Sequence, residues 1–217
     1  MDPDNNSMKK LATSFNETIS SSELVNISAE IVEITIDSVL KEGVLKEGVL
    51  KELPIVGSLI GVWKTGAAIN DYRFLNKLLL FLNESSKLSD KKRQDIIEKL
   101  EDETYQAEAG EKLIAIIDSL ETSSKAKMLG KALCLFGNLI INRDEFWRVS
   151  YIIDKLPMSD IIALKDWKEN DLNKVFDVRK HLYLSVGIGW YVPNTSSTGF
   201  CWQERLCSIF ADNLIEN

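Results

Sequence analysis

Between residues 22 and 157 apolar side chains return every three or four positions, which puts them on one face of a helix and restricts the chain to a packing of helices. Ser22 is a helix-capping residue type placed before Glu23, and Leu24, Ile27, Ile31 and Ile34 follow on one face. This predicts a helix running to about Glu52, where Pro54 stops it. Tyr72, Phe74, Leu75, Leu78, Leu79 and Leu82 carry the same spacing within a helix predicted over 55–82. Ser89 opens another with Ile96, Ile97 and Leu100, and Leu113, Ile116, Ile117 and Leu120 mark one over 103–121. Ser124 opens a further helix with Leu129, Leu133, Phe136 and Ile140. Asn142 with Glu145 three positions on forms a capping-box pattern ahead of Phe146, Val149, Ile153 and Leu156, and Pro157 ends that helix. The expectation is a mainly α fold, with a helical bundle over 23–156. Residues 1–22 are polar and rich in Ser and Asn; Met8, Leu11 and Phe15 hint at a short amphipathic turn, but a flexible N-terminus is expected.

The last sixty or so residues have another texture. Two short helices, 159–167 and 171–183, precede aromatic and β-branched runs that flank turn formers between Gly187 and Trp202, which is a hairpin signal. A final helix over 203–215 places Leu206, Ile209, Phe210 and Leu214 on one side. Helix, helix, hairpin, helix is the order of a small winged-helix-like α+β module, expected over 157–217.

One internal repeat interrupts the periodicity. Leu40-Lys41-Glu42-Gly43-Val44 is followed by an identical Leu45-Lys46-Glu47-Gly48-Val49. A five-residue period turns successive leucines by roughly 140° on a helix, so it builds no single stripe. Each glycine also weakens a helix by about 1 kcal/mol. The repeat reads as a tandem duplication on a tolerant surface or linker.

Composition narrows the function classes. An apolar fraction of 45% and a charged fraction of 27% are those of a globular chain. The formal net charge of −7 argues against nucleic acid, whose binding rests on cations that neutralise phosphates. Residues 157–217 hold six Lys and Arg against eight Asp and Glu, so the tail is net acidic too. Cys134, Cys201 and Cys207 are an odd set without the spacing of a disulfide framework or a zinc site. The opening Met-Asp-Pro-Asp-Asn-Asn-Ser has no apolar signal core, which predicts a chain kept in a reducing cytoplasm.

Catalytic constellations are hard to assemble. His181 is the single histidine and sits near a helix end, where a cation complements the helix dipole. Glu101, Asp102 and Glu103 supply carboxylates, but consecutive helical residues point in different directions and cannot all face one ion. Gly187-Ile188-Gly189 lacks the third glycine and the following helix of a dinucleotide cradle. The expectation is a non-enzyme with no catalytic residue, no cofactor and no metal.

The sharpest local feature is the apolar run at 53–69, which holds Ile55, Gly57, Leu59, Ile60, Gly61 and Trp63. Gly57 and Gly61, four apart, let a second helix approach closely, in a protein core or in a bilayer. The uncharged stretch before Lys64 covers roughly 16 Å as a helix, about half a hydrocarbon core, so a packed core helix is the first reading and membrane association the second. In the tail, Arg179, Lys180, Trp190 and Tyr191 are the candidate partner contacts.

The block Leu53-Pro54-Ile55-Val56-Gly57-Ser58-Leu59-Ile60-Gly61, then Phe74 to Leu82, then Phe146-Trp147-Arg148-Val149, resembles a functionally unassigned group of short bacterial all-α proteins. The ending, with Tyr183-Leu184-Ser185-Val186-Gly187 and Glu204-Arg205-Leu206-Cys207, is similar to that of some proteins from phage-defence and mobile-element neighbourhoods. The resemblance rests on apolar packing positions and implies a bacterial host, an all-α body and a defence setting, with no catalytic residue to carry over. The duplicated Leu-Lys-Glu-Gly-Val departs from the pattern. The expected function is a non-enzymatic interaction or regulatory protein, an accessory of such a system, that binds another protein or itself and no nucleic acid. A membrane-active helical effector inserting 53–69 is the second reading, and a winged-helix DNA-binding regulator the third.

Overall fold

The computed structural model describes residues 3–33, 49–62, 69–100, 109–169, 175, 177–192 and 199–216. Most of the Leu-Lys-Glu-Gly-Val repeat, together with Trp63 and the acidic cluster at 101–103, lies outside these residues. The protein is mainly helical, with a small two-stranded antiparallel sheet near the C-terminus. It divides into two units, residues 1–143 and 144–217.

In the first unit α1 (Pro3–Ser20) and α2 (Glu23–Glu33) lead into a 3-10 turn at Val49–Glu52 and α3 (Pro54–Val62). Then come α4 (Ile69–Ser85), α5 (Asp90–Leu100), α6 (Ala109–Ser119) and α7 (Ser123–Gly137). Pro54 is the first residue of α3 as well as a stop signal, since its missing N–H has no partner to lose there. The capping residue of α7 is Thr122, two residues earlier than Ser124, and its side chain accepts from the Lys125 N–H at 3.3 Å. Helix α4 carries the core: from 74 to 85 every residue but Leu80 and Asn83 is buried, and its main partner is α7.

The N-terminus is the largest correction to the sequence reading. Residues 3–20 form a packed helix rather than a flexible arm. Ala12, Phe15 and Ile19 are fully buried, and the Phe15 ring stacks on Phe81 with centroids 5.9 Å apart. Two of the polar residues that suggest a loose end, Ser14 and Thr18, also have partners. Thr18 Oγ1 accepts from the Ile55 N–H at 3.0 Å, and Ser14 and Ser58 hydroxyls meet at 2.6 Å. Composition marks the segment as polar, but its apolar residues share one face and that face has α3, α5 and α6 to pack on.

Arg93 joins three of these elements. The residue is 0% exposed. Its Nε donates to the Ile19 carbonyl at 3.1 Å, and Nη2 donates to the Ser21 carbonyl at 2.9 Å and to Asp90 at 2.7 Å. Its Nη1 donates to the carbonyls of Leu88 and Ser86 at 2.5 and 3.4 Å. All the N–H donors of the guanidinium are therefore engaged, mostly by carbonyls left over where α1 and α4 end.

The second unit holds α8 (Arg143–Lys155), α9 (Met158–Ala163) with a 3-10 turn at Leu164–Asp166, and α10 (Asp177–Val186). Strands β1 (Gly189–Tyr191) and β2 (Phe200–Trp202), then α11 (Glu204–Ile209) and a π turn at Phe210–Leu214, complete it. The boundary falls at 143, not at 157 as the proline suggests. Pro157 breaks the helix, yet α8 remains with the C-terminal elements, because Glu145 pairs with Arg205 at 2.7 Å and Arg148 lies 3.5 Å from where a side chain on Gly187 would begin. The helix expected over 171–183 is described from Asp177 to Val186; residues 170–174 and 176 lie outside the described residues.

Close helix approach occurs at a glycine other than the pair the sequence singles out. A Cβ on Gly130 of α7 would meet Glu84 Cβ at 2.6 Å and the Phe81 carbonyl oxygen at 2.7 Å on α4. Among the described residues a Cβ on Gly61 would have nothing within 4 Å, and one on Gly57 only the Lys51 carbonyl oxygen at 3.9 Å. Gly130→Ala is expected to destabilise the protein by about 1–3 kcal/mol, since the backbone of α4 must move. Gly61→Ala should be neutral or stabilising by up to about 1 kcal/mol, through helix propensity alone. Arg93→Ala, which strands the carbonyls of Ile19, Ser21, Ser86 and Leu88, should lose about 3–5 kcal/mol. Urea unfolding followed by circular dichroism checks all three; equal midpoints for the two glycine variants would contradict the contact geometry.

Candidate functional site

The second unit presents the surface that collects most of the tail candidates. Helix α10 ends in a Schellman motif. Gly187 takes φ +76°, its N–H bonds the Leu184 carbonyl at 3.1 Å, and the Ile188 N–H bonds the Tyr183 carbonyl at 3.0 Å. This turn hands the chain to β1, which pairs with β2 so that Gly189 faces Trp202, Trp190 faces Cys201 and Tyr191 faces Phe200. The Tyr183 and Trp202 rings, 5.4 Å apart, pack the helix on the hairpin.

Asp160 of α9 fixes where α10 lies. It is 5% exposed and accepts from Arg179 Nε at 2.9 Å and from the Tyr183 hydroxyl at 2.6 Å; Arg179 Nη2 reaches the same oxygen. Burial and the neighbouring carboxylate hold the Tyr183 hydroxyl well above the usual tyrosine range, so it stays a hydrogen-bond donor. The hydrogen bond to Asp160 raises Arg179 further. Arg179, a candidate partner contact, is thus also a structural ligand of a buried acid. Asp160 and Tyr183 carry no signal in the sequence, because nothing in Met158-Ser159-Asp160 shows that its carboxylate is buried.

Lys180 is half-buried, whereas Trp190 and Tyr191 are 47% and 46% exposed. Adjacent on a strand, these two rings point to opposite faces of the hairpin. The Tyr191 ring lies 4.9 Å from that of Phe200, and the Trp190 face also carries Cys201. The same stretch exposes two residues the sequence reading passes over, Val178 at 80% and Leu184 at 42%. His181 is exposed on the same helix.

The apolar segment of the first unit is divided by its own periodicity. Ile55 is fully buried and Leu59 is 5% exposed, Ile60 is half-buried, and Gly57 and Gly61 are exposed. The glycines therefore do not mark a helix contact among the described residues; the aliphatic residues on the opposite side of α3 do. Trp63 lies outside the described residues. Among the described residues no helix is long and apolar enough to cross a membrane.

Two of the cysteines are poor nucleophiles where they stand. Burial pushes the Cys134 thiol up to about 11 and the Cys207 thiol up to about 12. Cys134 Sγ donates to the Glu84 carbonyl at 3.1 Å. Among the described residues no three His, Cys, Asp or Glu side chains group so as to hold a metal ion.

A raised thiol pKa lowers the thiolate fraction at every pH below it. At pH 8 the native protein should therefore alkylate Cys134 and Cys207 roughly a hundredfold or more slowly than the urea-unfolded chain. Mass spectrometry of iodoacetamide-treated protein measures this, and native rates equal to unfolded ones would contradict the burial of both.

Comparison with protein-family models, curated proteins and solved structures finds no match for this chain.

Proposed function

We propose that this protein acts by contact and not by catalysis, as an interaction or regulatory protein. In this reading residues 144–217 form a winged-helix-like module whose α10 and hairpin meet another protein. The observation that carries the reading is the exposure of large apolar side chains on these elements. Val178 and Leu184 on α10 and Trp190 and Tyr191 on β1 are exposed, the two rings on opposite faces of the hairpin, while Arg179 is held by the buried Asp160. Exposed Trp and Tyr are the residue types that dominate protein–protein hot spots. A duplex-reading helix needs uncommitted cations for phosphates, and this net-acidic tail offers few. Against the membrane-active reading stands the burial of Ile55, Val56 and Leu59, at 0–5% exposure, which α3 would have to give up to enter a bilayer. The resemblance to proteins of phage-defence and mobile-element neighbourhoods supports an accessory role in such a bacterial system, in the cytoplasm.

The test is capture with the tagged full chain, followed by titration of the purified candidate partner. Trp190→Ala and Tyr191→Ala, both keeping the helical spectrum, test the two faces of the hairpin separately, and the variant on the contacting face is expected to weaken that binding by tenfold or more, the scale of a hot-spot residue. Binding unchanged in both variants would remove this surface from the interaction. Salt-sensitive duplex binding lost on Arg179→Glu and Lys180→Glu would replace the reading with the DNA-binding one.

A further inference from the structure

Beyond that surface, the first unit contains a cleft of about 950 Å³, at the upper end of the range of small-molecule sites. Its apolar wall is drawn from four helices: Leu11 of α1, Leu59 of α3, Phe74 of α4 and Ile114 of α6. Its uncharged polar lining is Asn76, Thr122 and Ser123, and Lys77 stands beside Asn76 on α4. Apolar side chains together with a small number of placed polar groups are what bind an amphipathic small molecule.

Two of the polar groups, Lys77 and Asn76, are held in place by hydrogen bonds. Lys77 is 9% exposed, and its ammonium donates to the carbonyls of Asp118 and Leu120 at 2.5 and 3.0 Å, where α6 ends. An ammonium has three N–H groups, so one remains beyond these two bonds. Asn76, 8% exposed, donates through Nδ2 to the Ser123 hydroxyl at 2.7 Å, which leaves its amide oxygen as an acceptor. A donor and an acceptor on neighbouring buried residues match a head group that accepts and donates at once.

Charge decides the class of ligand. The lining holds Lys77 and Arg73 against Asp71, Asp118 and Glu121, and Lys125 pairs with Glu121 at 3.3 Å. The Asp118 carboxylate acts on Lys77, whose pKa burial lowers. Cations and anions balance, so a charged ligand would lose its hydration without gaining an uncompensated counter-charge. We propose that the cleft binds an uncharged amphipathic small molecule, an aliphatic chain carrying an amide or similar neutral head that accepts from Lys77 and donates to the Asn76 oxygen.

Octanamide, octanoate and octylamine share a chain and differ in head charge. Ligand-observed NMR titrations of the full-length protein with each should show one saturable site for octanamide, at least tenfold tighter than for either charged probe. Ala115→Trp fills the cleft from an exposed position of α6 without touching the Lys77 or Asn76 bonds, and should weaken octanamide tenfold or more while leaving the urea midpoint unchanged. Octanoate or octylamine binding as tightly as octanamide would overturn the proposal. So would the absence of saturable octanamide binding to the wild type, or unchanged affinity in a folded Ala115→Trp. The comparison of the three probes on the wild type decides the matter even if the tryptophan variant fails to fold.

Discussion

The buried guanidinium of Arg93 is the constraint around which the first unit is arranged. Taking a cation out of water costs several kcal/mol, and only a full set of hydrogen bonds offsets it. Those bonds come from three places that chain connectivity alone would leave apart: the end of α1 through Ile19 and Ser21, the end of α4 through Ser86 and Leu88, and the start of α5 through Asp90. Helix ends leave carbonyls without intrahelical partners, and burying them unpaired is costly. One planar side chain answers several of these needs at once, and by doing so fixes α1 against α5. With α1 in place, Phe15 can stack on Phe81 and Thr18 can accept from α3.

The same device recurs in smaller form. Lys77 places its ammonium on the carbonyls of Asp118 and Leu120 at the end of α6, where a cation also complements the helix dipole. In the second unit the sign is reversed: a buried carboxylate, Asp160, gathers the Arg179 guanidinium and the Tyr183 hydroxyl of α10. Each of these buried charges specifies geometry more sharply than apolar packing does, because a hydrogen bond fails within a few tenths of an ångström while a hydrophobic contact tolerates sliding.

These anchors also sort what is left for function. Arg179 serves as an architectural ligand, which lowers its value as a phosphate contact and leaves exposed apolar groups, Val178, Leu184, Trp190 and Tyr191, to define the chemistry of the α10 and hairpin surface. In the first unit, Lys77 leaves one side of its ammonium to the cleft. Ile55 and Leu59, from the apolar segment at 53–69, are buried in the core.

The amino-acid sequence by itself determined most of the local elements. Three- and four-residue spacing marked the helical segments after α1, Pro157 marked the end of α8, Ser89 preceded α5, and the aromatic runs around the turn formers located β1 and β2. It also set which residues share a face, as in the burial of Ile55 and Leu59. Tertiary structure decided what each face meets. A polar N-terminal segment became a packed helix because α3, α5 and α6 supply a surface for Ala12, Phe15 and Ile19. Gly130, not Gly57 or Gly61, became the close contact, because the approach of α4 to α7 depends on both helices. The roles of Arg93, Lys77 and Asp160 were invisible for a related reason: periodicity records the spacing of side chains along one element, whereas a buried charge is defined by partners such as Ile19 and Ser21 that lie far away in the chain.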